Sequence, residues 1–540
     1  MTIDEGTYDF IITGAGSAGC VLANRLTASG RHRVLLLEAG GEDNLFWMRV
    51  PMGYPMLFAN PKINWMFESA PEPELGNRTM YQPRGKVLGG TSSINGMVYI
   101  RGNPRDYDDW RQAGCEGWSY DDVLPYFRKA ENQARGEDAY HGVGGPLHVS
   151  DHPTRDEISD AIIAAGVEAG LPANGDFNGA MQEGIGYYQT TTHRSRRWST
   201  ANAYLHPVRS RPNLNVVTGA HATRLTLEGT RVTGIEFTTP KGTHVARASG
   251  EVIVSGGVFG SPQLLQLSGI GPADHLKQMG IAPVLDRPAV GANLQDHFYI
   301  QFMFRCPKPI TLNDLAMSWP KKLWAGAQYL LAGKGILAGN GIYAGAFART
   351  DPRLDRPDLQ INMNIWSVAE RTSAGMVPHP FSGFTMSPVH LKPDARGTVR
   401  LTSADPKAAP DIRFNFLKTR HDIDAMIAGM RLVRKISQQP ALKSYVTEEI
   451  QPGLDVASDA DFETFLRAKS YSNLHPAGTC RMGHDETCVV DPQLRVHGIE
   501  GLRVVDASVM PRVTTGNTNA PTIMIAEKAS DMILAAARAH

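Results

Sequence analysis

The chain has 540 residues, 42% hydrophobic and 20% charged, the proportions of a folded globular protein with room for more than one core. Its 54 basic residues balance 54 acidic ones, so no net positive field draws the whole chain to nucleic acid or to an anionic surface. Five cysteines without a Cys-x-x-Cys pair, and 17 histidines without His-Glu-x-x-His spacing, suggest neither a disulfide framework nor a metal site.

At the N-terminus, Asp4 and Glu5 stand where a secretory signal would carry basic residues, and no apolar run approaches the length of a membrane span. The expectation is a cytoplasmic protein. A short apolar run, Tyr8 to Thr13, reads as a buried strand and leads into Gly14, Ala15, Gly16, Ser17, Ala18 and Gly19. Val21, Leu22, Ala23 and Leu26 then recur at helical spacing, and a second apolar run, Val34 to Leu37, ends in Glu38. This is the strand, glycine turn, helix, strand and acid of a dinucleotide-binding unit. Its glycines admit a pyrophosphate to the backbone, the helix N-terminus offers free N–H groups, and Glu38 can accept hydrogen bonds from a ribose.

Further strands are predicted at Asn215 to Thr218, Val232 to Thr238, Glu251 to Ser255 and Leu502 to Val505, so the nucleotide fold is assembled from separated segments. A helix follows Gly257 and stops at Gly269 and Gly271. The region from Tyr299 to Asn473 is richer in Trp, Met and Phe and reads as a second domain. It has strands at Leu359 to Ile365 and Thr398 to Leu401, and a packing helix from Ile423 to Gln438. The tail from Pro521 to Arg538 is a helix opened by proline and striped by Ile523, Ile525, Ala526, Ala529, Met532 and Ile533.

A second glycine-rich run, Gly85 to Asn95, resembles a signature of the glucose-methanol-choline (GMC) flavoprotein oxidoreductase family. Gly257, Ser261, Pro262 and Ser268 to Gly271 resemble a further motif, with Val258 in place of its usual small residue, and the segment from His475 through Asn519 to Thr522 resembles the third. Asn95 to Arg101 looks most like the choline dehydrogenases and aliphatic alcohol dehydrogenases within that family. The resemblance implies the GMC fold, an α/β Rossmann-like FAD domain (residues 1–152, 198–298 and 474–540) with a substrate domain of antiparallel sheet and flanking helices (153–197 and 299–473).

It also implies FAD as cofactor. By position, Gly14, Gly16, Ser17, Ala18 and Gly19 would lie at the pyrophosphate, Glu38 and Ala39 at the adenosine ribose, and Ala222 beside adenine. Gly89, Gly90, Asn95, Gly96, Met97, Val98 and Leu474 would flank the flavin, Asp506 and Ala507 would reach the ribityl and phosphate, and Pro521 and Thr522 would present a helix N-terminus to the ring. Relatives with covalent FAD use a histidine in the second glycine run. Ile94 and Asn95 stand there, so dissociable FAD is expected.

The implied reaction is oxidation of a primary alcohol to its aldehyde. His475 would take the hydroxyl proton and Asn519 would hold the developing alkoxide, while electrons pass to a quinone or another acceptor. An oxidase that reduces O2 to peroxide, a choline dehydrogenase and a flavin-containing lyase are the alternatives. Asp296 and His297 fit a structural Gln-Asp-His segment better than a catalytic one. Trp47, Trp65 and Phe67 lie in or beside a segment that covers the flavin entrance in the family. Choline-oxidising relatives carry a pocket glutamate, and alignment sets Tyr343 in its place, which with Asn473 and Leu474 ahead of the histidine favours a neutral alcohol. The resemblance leaves room for a peripheral contact at the inner membrane.

Overall fold

The computed structural model describes residues 2–372 and 375–539. It is a mixed α/β fold organised round two large sheets. In the seven-stranded sheet, Leu214–Thr218, Val34–Glu38, Ile3–Thr13, Gly242–Val254 and Leu502–Val504 run parallel. The run Tyr8 to Thr13 is the mostly buried half of the longer strand, and Val34–Glu38 is buried throughout, as a parallel strand covered on both faces must be.

Gly242–Val254 has two sets of partners. Its first half pairs antiparallel with Arg231–Thr239, which pairs in turn with His221–Glu228, and its end, Val252 to Val254, pairs parallel with Leu502–Val504. His221–Glu228 is not among the strands that the sequence predicts, because as an outermost strand it buries little and carries a weak apolar alternation. The glycine turn feeds the helix Ser17–Leu26, and this packs on the last helix, Asn519–Ala539, where Arg25 clamps Glu527 through bonds of 2.8 and 2.7 Å. That last helix starts two residues before the predicted Pro521, so the proline sits in the first turn, where a missing N–H costs nothing.

The eight-stranded sheet is antiparallel, in the order Glu448–Gln451, Phe302–Arg305, Gly383–His390, Leu359–Asn364, Ile342–Ala348 and Gly184–Tyr187, extended by Phe298–Tyr299 and Tyr471–Ser472. The helix Arg420–Ser437 lies against it and buries Ile423, Met426, Ile427, Met430, Val433 and Ile436. Alternation along the strands divides the faces: Leu359, Ile361, Met363, Phe384 and Met386 join the core, while Asn362, Asn364 and Ser387 turn to the cleft between the sheets.

Behind the second glycine run, Arg101 donates to Glu131 at 2.6 Å with both side chains almost fully buried, and His141 lies 3.0 Å from the same carboxylate. Removing one member of such a pair strands the other charge in a low dielectric. Glu131→Ala is expected to lower stability by about 3–5 kcal/mol, read from urea unfolding.

Candidate active site

The parallel strands all end at one edge, where ligands of such sheets bind, and that edge is the floor of a long cleft. Thr13, Glu38, Ala220, Ser255 and Asp506 open onto it from successive strand ends. Gly14, Gly16, Ser17, Ala18, Ala39, Gly90, Asn95, Gly96, Met97, Val98, Ala222, Leu474, Asp506, Ala507 and Thr522, which the resemblance assigns to the cofactor, line this cleft. Gly19, Gly89 and Pro521 do not. A Cβ on Gly19 would stand 1.9 Å from the Gly14 carbonyl oxygen, so Gly19 is there for helix-to-turn packing, and Gly89 donates its N–H to Ala15 at 2.7 Å to tie the two glycine runs together.

The cradle fits an extended dinucleotide. Gly90, at φ +54°, brings its own Cβ position within 2.7 Å of Gly16 Cα, so the two runs touch backbone to backbone with no room for a side chain. The helix at Ser17 has no side-chain cap, leaving its first N–H groups for a ligand. Glu38 accepts from the Ala15 and Gly40 N–H groups at 2.9 and 2.8 Å, and burial pushes its carboxyl up to about 7 against those bonds. Asp506 is similarly occupied, capping Gly257 at 2.9 Å and Ser508 at 2.7 Å, so it shapes the floor as well as lining it.

His475 sits where the two sheets meet. Its backbone N–H donates to Asp296 at 2.7 Å, Asp296 also binds the Ser472 hydroxyl, and Gln295 and Ala477 exchange backbone bonds of 3.0 and 2.9 Å. Leu474 is held at φ +66°, uncommon for a branched residue, and Arg84 fixes its carbonyl at 3.0 Å. The imidazole is thereby aimed by strain and by a buried carboxylate. Its Nδ1 lies 3.1 Å from His297 Nδ1 and 3.3 Å from the Asn473 amide, and its Nε2 lies 2.9 Å from the Asn517 amide. Burial and the nearby Arg84 guanidinium lower its pKa to about 3, so the ring is neutral across the physiological range. Burial raises Asp296 to about 7, with Ser472 and Arg84 opposing.

Two expectations are corrected here. The carboxamide beside His475 is Asn517, not Asn519, whose Oδ1 instead accepts from the Ser17 hydroxyl at 2.7 Å and joins the N-termini of two helices. Tyr343 lies outside the cleft. A bulge between Ile342 and Ala344 turns it into the core of the antiparallel sheet, while Ile342 faces the cleft. The end of the cleft on the antiparallel sheet is formed by residues that the sequence reading does not single out, namely Gln301, Asn362, Asn364 and Ser387, with Tyr54, Phe58, Tyr299 and Trp366. The Asn364 Oδ1 and Ser387 Oγ are buried with no protein partner. Glu38 and Asp506 are the acids that line the cleft, both on the nucleotide side. Trp65 and Phe67 stack at 5.7 Å on the cleft wall, whereas Trp47 is exposed outside it.

A parallel sheet with a glycine cradle, facing an antiparallel sheet across a neutral, half-buried imidazole, defines a dinucleotide-dependent oxidoreductase. The GMC oxidoreductase N- and C-terminal family profiles match residues 8–299 and 393–526, and the chain belongs to that family. It is accordingly a FAD-dependent oxidoreductase acting on CH–OH donors, and choline dehydrogenase-like. It is 45% identical over 534 residues to the oxygen-dependent choline dehydrogenase of Rhizobium etli, covering 97% of this chain and 95% of the other. It is 43% identical over 541 residues to the mitochondrial choline dehydrogenase of Mus musculus, covering 98% and 90%. Among solved structures it resembles pyridoxine 4-oxidase from Mesorbium loti (TM-score 0.88, 30% identity, 97% of this chain and 98% of the other). Formate oxidase of Aspergillus oryzae is also similar (TM-score 0.93, 27% identity, 99% and 100%). Among the described residues no helix is long and apolar enough to cross a membrane.

Proposed function

We propose that the protein oxidises a neutral primary alcohol to its aldehyde, with His475 as the base and Asn517 as its partner. The observation that carries this is the His475 ring fixed between His297 and Asn517 at the junction of the two sheets. Residues 1–152, 198–298 and 474–540 would serve the cofactor, and 153–197 and 299–473 the alcohol. FAD, when bound, supplies the hydride acceptor. Ser17 and Ala18 would offer N–H groups to it, Glu38 its remaining lone pairs, Ala222 a flat neighbour to adenine, and Gly90, Asn95 to Val98 and Thr522 the wall beside the ring. Ile94 is buried away from the cleft, and His221 and His475 are its histidines, which supports dissociable FAD.

With the proton of His475 on Nδ1, shared with His297, its Nε2 lone pair faces the Asn517 amide and would receive the hydroxyl proton once the alcohol comes between them. The Asn517 amide, 2.9 Å from that nitrogen, turns a donor to the substrate oxygen as negative charge develops there. Asn517→Ala is expected to slow alcohol-driven flavin reduction by about 100-fold or more at full FAD content. Asn519→Ala should instead loosen the cofactor, because it unties the two helix N-termini.

Because the imidazole pKa is lowered, the base stays competent as pH falls through the range where a free histidine would be lost, about 6.5. The expected kcat/KM profile has no limb from His475 above about pH 4. A limb near 7 is expected from Asp296, whose carboxyl is raised by burial, and should disappear in Asp296→Asn.

The amide and hydroxyl groups of Gln301, Asn362, Asn364 and Ser387, with no acid among them, support an uncharged substrate such as an aliphatic, polyether or aryl alcohol. Choline is the second reading, favoured by the relatives' names and by the rings of Tyr54 and Trp366, 6.2 Å apart, which could hold a quaternary ammonium. Anaerobic flavin bleaching scored across choline, alkanols, glycol ethers and benzylic alcohols separates the two. Fastest reduction by choline would overturn the neutral assignment, and no reduction by any alcohol would favour a lyase. Electrons pass on to a quinone or another acceptor, reached through a peripheral membrane contact. Rapid reoxidation in air with release of peroxide would make the protein an oxidase instead.

A further inference from the structure

The helix Trp319–Ala332 is built inside out. Trp319, Leu323, Trp324, Leu330 and Leu331 are 67–88% exposed, and Ala325 is its one fully buried residue. The spacing 319, 323, 330 with 324, 331 puts the large apolar groups on one solvent-facing stripe, where an ordinary surface helix would turn them to the core. The stripe also has a charged border. Lys321, Lys322 and Lys334 are exposed beside it, and the sequence from Leu315 to Thr350 contains no Asp or Glu.

The patch continues onto neighbouring elements. Tyr329 donates to the Arg49 carbonyl at 3.4 Å, next to exposed Phe46 and Trp47, and Gly333 abuts Ser195 in the turn that exposes Arg194 and Arg196. The adjacent acids, Glu42 and Asp43, are already paired with Arg209 and His206. One surface therefore combines indole and leucine side chains with cations that, among the described residues, pair with no carboxylate, the composition of a segment that lies in the headgroup layer of an anionic bilayer. Two copies meeting through it would bring like charges together. The cleft opens alongside: Tyr54 and Phe58 line it while Met56 between them is 61% exposed, and Met376 lines it while Val377 is 54% exposed.

We propose that the helix Trp319–Ala332, with the 46–49 and 194–196 segments, docks the enzyme on an anionic lipid surface, so that a lipid-dissolved alcohol or electron acceptor reaches the cleft from the bilayer. This specifies the face for the membrane contact of the proposed function and rests on that contact. The test uses the full-length holoenzyme floated with vesicles of phosphatidylglycerol in phosphatidylcholine or of phosphatidylcholine alone.

At least about tenfold greater recovery on the anionic vesicles is expected, falling as salt is raised from about 0.05 to about 0.5 M and the lysines are screened. Leu323→Glu with Leu331→Glu, and separately Lys321→Glu with Lys322→Glu, should each return recovery to the neutral level, with FAD content and turnover on a soluble alcohol and dye unchanged. Equal recovery on both vesicle types, none on either, or a dimer that these changes dissociate without any vesicle binding would each overturn the proposal. Alcohol-driven bleaching in the absence of lipid is scored separately, so a failed docking face leaves the reading of the chemistry intact.

Discussion

His475→Ala is expected to slow anaerobic, alcohol-driven reduction of the bound flavin by about 100- to 10,000-fold, the range that a positioned general base supplies. FAD content should hold, because the fold around the imidazole is secured by its neighbours: Asp296 takes the backbone N–H of residue 475, and Arg84 takes the carbonyl of Leu474. Neither contact uses the ring. Stopped-flow absorbance at a saturating alcohol, with flavin stoichiometry measured on the same sample, checks this. His475→Gln keeps a polar group of similar reach without its basicity and should be nearly as slow. A rate within a few-fold of wild type in either variant would remove His475 from the mechanism.

Gly90→Ala should cost the protein its cofactor. Residue 90 sits at φ +54°, and its Cβ would stand 2.7 Å from Gly16 Cα, which is main chain and has no torsion to turn aside. The left-handed conformation alone costs about 1–2 kcal/mol for a residue with a side chain, and forcing apart two packed backbones adds about 1–3 kcal/mol. Together these weaken FAD binding by about 30-fold or more. The ratio of flavin to protein absorbance after gel filtration reads the loss, and far-ultraviolet circular dichroism distinguishes it from unfolding. Stoichiometric flavin in the purified variant would mean that the contact between the glycine runs is not the cradle.

The nucleotide half was legible because its signals are local. Tyr8 to Gly19 and Val34 to Glu38 carry strand, turn, helix and acid within one short stretch, and each lies where the chemistry requires. The substrate half was not, because its cleft surface alternates with its core. In Leu359–Asn364 every second residue is an amide, a period-two polar stripe on an otherwise apolar strand, and it marks a wetted face that Asn362 and Asn364 present to the cleft. The shift from Asn519 to Asn517 has a similar cause. Two asparagines two residues apart leave a choice that only the start of the last helix settles: residue 519 opens the helix and meets Ser17, while residue 517 is still in the loop beneath His475. Tyr343 was misplaced by a bulge, which no alternation rule anticipates.

The bond from Ser17 to Asn519 and the clamp from Arg25 to Glu527 each span 502 positions of chain. Contacts so distant in order of synthesis form late, only after the ribosome has released both partners. Loading of the prosthetic group is therefore expected to wait for the helix Asn519–Ala539, and a nascent chain stalled before that helix should be colourless.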